Sequence, residues 1–140
     1  MIRNGKEVDL SEQELKEVDI GRIDCAEHIR QVNLSMNLFT EIPANLCHLE
    51  GLVYLNLKCN RIESFKGLKK LRSLRKLDLS FNGIKTLQGL HSSSISSLDL
   101  SFNELKVFSQ FDCLPNLIEL NASHNSIERL VLPSSKAKVP

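Results

Sequence analysis

The chain has 140 residues, with 18 Lys and Arg against 17 Asp and Glu, a formal charge of +1, 41% hydrophobic residues and no tryptophan. A single domain of about 100–150 residues is the usual size, and this balance excludes a bulk attraction to nucleic acid or an anionic membrane. No apolar run nears the roughly 18 residues of a spanning helix, and MIRNGKEVDL at the start lacks a signal-peptide core. Cys25, Cys47, Cys59 and Cys113 are too scattered for a disulfide framework, which points to reduced thiols in a cytoplasmic protein.

From the amino terminus, Val8-Asp9-Leu10-Ser11, followed by Gln13 and Leu15, is answered 24 residues later by Val32-Asn33-Leu34-Ser35, followed by Asn37 and Phe39. Residues 1–28 are expected to be an amino-terminal cap built on this degenerate copy, with Gln13 where later copies carry asparagine. A helical turn over Asp24-Cys25-Ala26-Glu27 is expected to shield the first full copy. The cap is acidic (Glu7, Asp9, Glu12, Glu14, Glu17, Asp19, Asp24 and Glu27), as suits a terminal unit with one side in water.

Residues 29–133 hold five copies of L-x-x-L-x-L-x-x-N-x-I, at Ile29 to Phe39, Leu52 to Ile62, Leu74 to Ile84, Ile95 to Leu105 and Leu117 to Ile127. Their second positions, Val32, Leu55, Leu77, Leu98 and Leu120, are spaced by 23, 22, 21 and 22 residues. In Leu77-Asp78-Leu79 the alternation sends both leucines to one face of a short strand and the aspartate to the other. Such a unit buries its apolar face only when stacked on neighbours. Asn37, Asn60, Asn82, Asn103 and Asn125 follow where the chain leaves the strand. An amide both donates and accepts, so they are expected to form a ladder satisfying buried backbone groups.

Between strands, Pro43 after Ile42 predicts an irregular return, because proline cannot donate to a ladder. Ile62, Phe65, Leu68, Leu71 and Leu74 follow a strict three-residue spacing, repeated by Ile84, Leu87 and Leu90 and by Leu105, Phe108, Phe111 and Leu114. That period predicts 3₁₀ turns. The last copy has Ala122 for a core leucine; Val131-Leu132-Pro133 is expected to cover its strand, and residues 134–140 to be a disordered tail.

With five registered copies in the 20–29-residue range, the chain resembles the leucine-rich repeat family. It is most similar to the 22-residue intracellular class typified by the type-1 phosphatase regulator of the nucleus. The resemblance implies an α/β solenoid: a right-handed horseshoe segment with a parallel sheet on the concave face and short 3₁₀ or irregular returns on the convex face. It also implies protein binding, as a scaffold or adaptor, or as a regulatory segment of a larger signalling enzyme or of a cytoskeletal or ciliary protein.

No catalytic centre, metal or cofactor is expected. His28, His48, His91 and His124 fall in different repeats at different template positions. Cys59 and His124 share a column but lie three strands apart, roughly 14 Å. Phosphate loops and nucleophile elbows are missing from the sequence. The informative surface is the exposed sheet face, where Gln31, Asn33, Tyr54, Asn56, Lys76, Asp78, Ser97, Asp99, Glu119 and Asn121 are the partner-binding candidates. The Asp/Asn column within it is weighed between solvating a narrow strip, with cross-strand bonds, and accepting a basic or amide-rich peptide. Phe81 and Phe102 join the candidates as aromatic anchors, although half-buried packing at the turn is their favoured reading. Lys58, Arg61, Lys69, Lys70, Arg72 and Arg75 form a basic patch, either solvated or facing an acidic partner. RNA binding is disfavoured for want of exposed aromatic stacking rows. The carboxyl-terminal edge, lacking a polar cap, is expected to invite edge-to-edge self-association.

Overall fold

The computed structural model describes residues 2–3, 5–21, 23–109 and 111–131; Leu132, Pro133 and the expected tail, residues 134–140, lie outside them. A short β1 (Ile2–Arg3) runs antiparallel on β2 (Glu7–Asp9), with Gly5 at φ 64° in the connection. The remaining strands stack in parallel: β3 (Gln31–Asn33), β4 (Tyr54–Asn56), β5 (Lys76–Asp78), β6 (Ser97–Asp99) and, after β7 (Val107–Phe108), β8 (Glu119–Asn121). The sheet order is β1-β2-β3-β4-β5-β6-β8, seven strands rather than the six that the template alone supplies. Its register places Val8, Val32, Leu55, Leu77, Leu98 and Leu120 opposite one another.

In the first four copies every apolar template position is spent on one core. Leu34, Leu57, Leu79 and Leu100 are fully buried, as are Ile62, Ile84 and Leu105 below them. The asparagines bind successive coils together. Asn82 Nδ2 donates to Leu79 O in its own coil (3.0 Å) and to Leu57 O in the preceding one (3.0 Å). Its Oδ1 accepts the Ile62 N–H at 2.7 Å. Asn60, Asn103 and Asn125 repeat this arrangement, and Asn37 makes it toward the cap through Leu10 O and the Gln13 and Leu15 N–H groups. Gln13 does not: its longer side chain stays outside, donating to Ser11 O and Glu12 O.

The returns depart from the sequence expectations in three places. Four 3₁₀ turns are present among the described residues, η1 (Ala26–His28), η2 (Ala44–His48), η3 (Leu68–Lys70) and η4 (Phe111–Cys113). The return after Pro43, expected to be irregular, holds the longest of them. Pro43, at φ −62°, has the torsion that a helical start requires and needs no N–H there. The return over Ile84, Leu87 and Leu90, expected to be 3₁₀, has only a turn, closed by Leu90 N–H to Leu87 O at 3.0 Å. It belongs to the 21-residue copy, which has one residue less in which to form a helix. Finally, β7 and β9 (Arg129–Leu130) pair in parallel on the back of the last two repeats. These segments lack the proline or glycine that starts η2 and η3. At η3 the glycine is obligatory: Gly67 has φ +94°, and a Cβ there would lie 2.4 Å from Ile42 O.

Candidate protein-binding face

The exposed sheet face begins with the Asp/Asn column, whose first task is local. Asp78 Oδ1 accepts the Ser80 N–H at 2.9 Å and the Ser80 hydroxyl at 2.7 Å; Asp99 does the same with Ser101 at 2.9 and 2.6 Å. Asn33, Asn56 and Asn121 accept from the backbone two residues on in the same way. These Asx turns steer the chain off each strand. Across strands, Asn121 Nδ2 donates to Asp99 Oδ2 at 3.3 Å. Asp99 therefore uses one carboxylate oxygen at its own turn and the other toward Asn121, while Asp78 uses Oδ1 at its turn.

Tyr54, Lys76, Asp78, Ser97, Asp99, Glu119 and Asn121 line one shallow groove across β4, β5, β6 and β8. Gln31, Asn33 and Asn56 lie on the same face but outside it. Within the groove Lys76 Nζ sits 5.2 Å from the centre of the Tyr54 ring, a cation–π contact. Burial, then the Asp78 and Asp99 carboxylates, raise the Tyr54 phenol above its usual 10.0. A third anion beside two carboxylates is unfavourable, so the phenol stays a neutral donor.

The rim at the carboxyl ends of the strands holds one residue per coil in the left-handed region. Met36, Cys59, Phe81, Phe102 and His124 have φ between 53° and 56°. The N–H groups of Met36, Cys59, Phe81 and Phe102 continue the ladder beyond the strands, as in Phe81 N–H to Ser101 O at 3.0 Å. This common torsion aims the side chains in one direction. Phe81 stacks on Phe102 with ring centres 4.1 Å apart and planes 9° apart, and Phe102 on His124 at 4.1 Å and 10°. The sequence reading of half-buried packing at the turn takes the form of this stack, with each phenylalanine 41% exposed and outside the core. The expectation that no exposed aromatic row exists is corrected. Sequence inspection could have found the row from its aligned column, but not the torsion that turns the rings outward.

The basic residues are divided rather than gathered. Lys58 lies at the strand ends, its Nζ 5.3 Å from the Phe81 ring centre, and Arg61 follows on that side. Lys69 and Lys70 are in η3, on the return. Arg72 stays with them, lining one groove with Lys70 and another with Lys69, whereas Arg75 lies just before β5, where its Nη1 donates to Ser94 O at 2.9 Å. Consecutive positions on a coil point to different sides of a solenoid, so density in sequence is not density in space.

Comparisons with known proteins agree with this architecture. A family model described as "Leucine rich repeat" matches residues 27–84, and one described as "Leucine Rich Repeat" matches residues 73–98. Fibromodulin of Oryctolagus cuniculus is 32% identical over 111 residues, 76% of this chain and 76% of that protein. The Homo sapiens "Leucine-rich repeats and immunoglobulin-like domains protein 1" is 30% identical over 139 residues, which are 94% of this chain but 13% of that protein. Among solved structures, the TLR13–ssRNA13 complex shares the fold with a TM-score of 0.81 at 23% identity, over 94% of this chain and 20% of that one. The mouse RP105/MD-1 complex gives 0.68 at 30% identity, over 91% and 22%. The chain thus spans a small part of several larger relatives.

Proposed function

The chain belongs to the leucine-rich repeat family, and on that premise we propose that it is a non-enzymatic protein-binding scaffold whose concave sheet takes a partner segment bearing lysine or arginine. The observation that carries this reading is the pair of aspartates on adjacent strands, Asp78 opposite Asp99, two carboxylates that line the same groove. Tyr54 supplies a ring and a neutral hydroxyl beside them. Six strands about 4.8 Å apart give a strip roughly 24 Å long, whereas a standard interface covers about 800 Å² per partner. The partner therefore extends onto a rim, and the Phe81–Phe102–His124 row is the apolar surface available there.

A set of short peptides differing only in charge tests this by titration calorimetry. Basic peptides should bind more tightly than acidic ones. Asp78→Asn/Asp99→Asn should weaken the basic peptide by about tenfold, in the range of lost charge-assisted contacts, and added salt should do likewise. Binding indifferent to peptide charge and to both substitutions defeats the reading.

Spacings of 21–23 residues and 3₁₀ returns support a place in the 22-residue class typified by the type-1 phosphatase nuclear regulator. A cytoplasmic setting, cytoskeletal or ciliary sites included, is part of the same proposal and is supported by the free thiols of Cys25, Cys47 and Cys59. A second reading treats the chain as one arm of a larger assembly, self-associated or covered at its last repeat. Leu120, Ile127 and Leu130 are 36%, 38% and 57% exposed, against 1% or less for Leu98, Leu105 and Phe108 one coil earlier.

A further inference from the structure

Outside the concave face, one four-residue segment brings together sulfur, oxygen and nitrogen donors. Ala26 packs against the core, which fixes the orientation of η1, and Cys25, Glu27 and His28 around it all face solvent. The turn is braced at both ends. His28 N–H donates to Cys25 O at 2.9 Å and Ile29 N–H to Ala26 O at 3.2 Å; Arg30 Nη1 donates to Glu27 O at 2.7 Å. Cys25 lies just ahead of η1 in the left-handed region, at φ 62° and ψ 36°. The Cys25 thiol, a Glu27 carboxylate oxygen and a His28 ring nitrogen all lie within 4.8 Å of one another. His28 Nδ1 is already 3.4 Å from Glu27 Oε1.

Donors bound to one tetrahedral ion at about 2.0–2.3 Å stand about 3.3–3.8 Å from each other. The donors, within 4.8 Å of one another, must close by about 1 Å to share one ion. We propose that Cys25, Glu27 and His28 form a three-ligand site for a borderline-soft divalent transition-metal ion, zinc foremost, with a fourth position open to water. Thiolate and imidazole select such an ion over magnesium or calcium, which take oxygen donors. Looking for ligands contributed by different repeats passes over this set, because all of its donors come from one turn ahead of β3.

Cobalt(II) added to the reduced full chain is the direct probe. Thiolate ligation produces a near-ultraviolet charge-transfer band, and four-coordinate geometry produces intense visible bands. One cobalt per chain should bind, and zinc should displace it. Cys25→Ser should abolish the charge-transfer band, while Glu27→Gln and His28→Ala should each weaken binding by about tenfold or more. The triple variant Cys47→Ser/Cys59→Ser/Cys113→Ser should keep the band. The three site residues are exposed, and circular dichroism of each variant is to be compared with wild type to check that it folds. The proposal is overturned by no charge-transfer band in wild type, by a band that survives Cys25→Ser, or by an affinity unmoved in both Glu27→Gln and His28→Ala.

Discussion

At the scale of single residues, the asparagines and Tyr54 carry the sharpest expectations. Replacing Asn82 by alanine strands the Ile62 N–H and the carbonyls of Leu57 and Leu79. A loss of about 1–3 kcal/mol follows from unsatisfied backbone groups, to be read from chemical denaturation. Gln13→Ala, whose side chain bonds only exposed carbonyls of its own turn, should stay within about 0.5 kcal/mol of wild type. Tyr54 is the sole tyrosine and tryptophan is absent, so ultraviolet titration reads it without interference. Its midpoint should lie above 10.0 in the folded protein. Since the folded state holds the proton more tightly, this contribution to stability is whole below the unfolded pKa and is lost as pH rises through the raised folded value. In Asp78→Asn the midpoint should fall toward, but not to, the ordinary value, because burial is the larger cause and remains.

At the scale of the element, each turn trades backbone strain for side-chain stacking. A non-glycine residue in the left-handed region costs about 1–2 kcal/mol, and one stacked aromatic pair returns about 0.5–1.5 kcal/mol. Phe102 has a ring on each side, whereas Met36 is 54% exposed. Met36→Gly should therefore melt at or slightly above wild type, and Phe102→Gly below Met36→Gly by about 1–3 kcal/mol, the two lost stacks. Equal melting of the two glycine variants would show that the stack contributes nothing to stability. The returns were legible to different degrees: period three in Ile62, Phe65 and Leu68 announced η3, but the same period in Ile84, Leu87 and Leu90 ended in a turn. Spacing shows which residues face inward, while backbone length and the torsions of Pro43 or Gly67 decide the hydrogen-bonded form.

At the scale of the whole molecule, a solenoid contacts only its neighbours, and its ends decide how it behaves in solution. At the amino-terminal end β1 pairs antiparallel with β2. At the other end Ile118 is 83% exposed and Leu130 57%. Sedimentation velocity should show association rising with concentration, and Ile118→Lys/Leu130→Lys should suppress it while leaving the melting temperature nearly unchanged. A wild type monomeric at all concentrations removes the self-associated form of the second reading.

From the sequence alone, the repeat unit, the register and the buried columns were determined, because leucine spacing is a statement about which side chains leave water together. The asparagine positions were legible for the same reason, since a turn against an apolar core leaves backbone groups that an amide can satisfy. Only the tertiary structure decided where the polar and aromatic residues work. Dividing the basic patch among the strand ends, a return and the approach to β5, turning Phe81 and Phe102 outward, committing one oxygen of Asp78 and Asp99 to Asx turns, and bringing Cys25 to His28 all depend on backbone torsions and stacking between coils, which sequence periodicity does not encode.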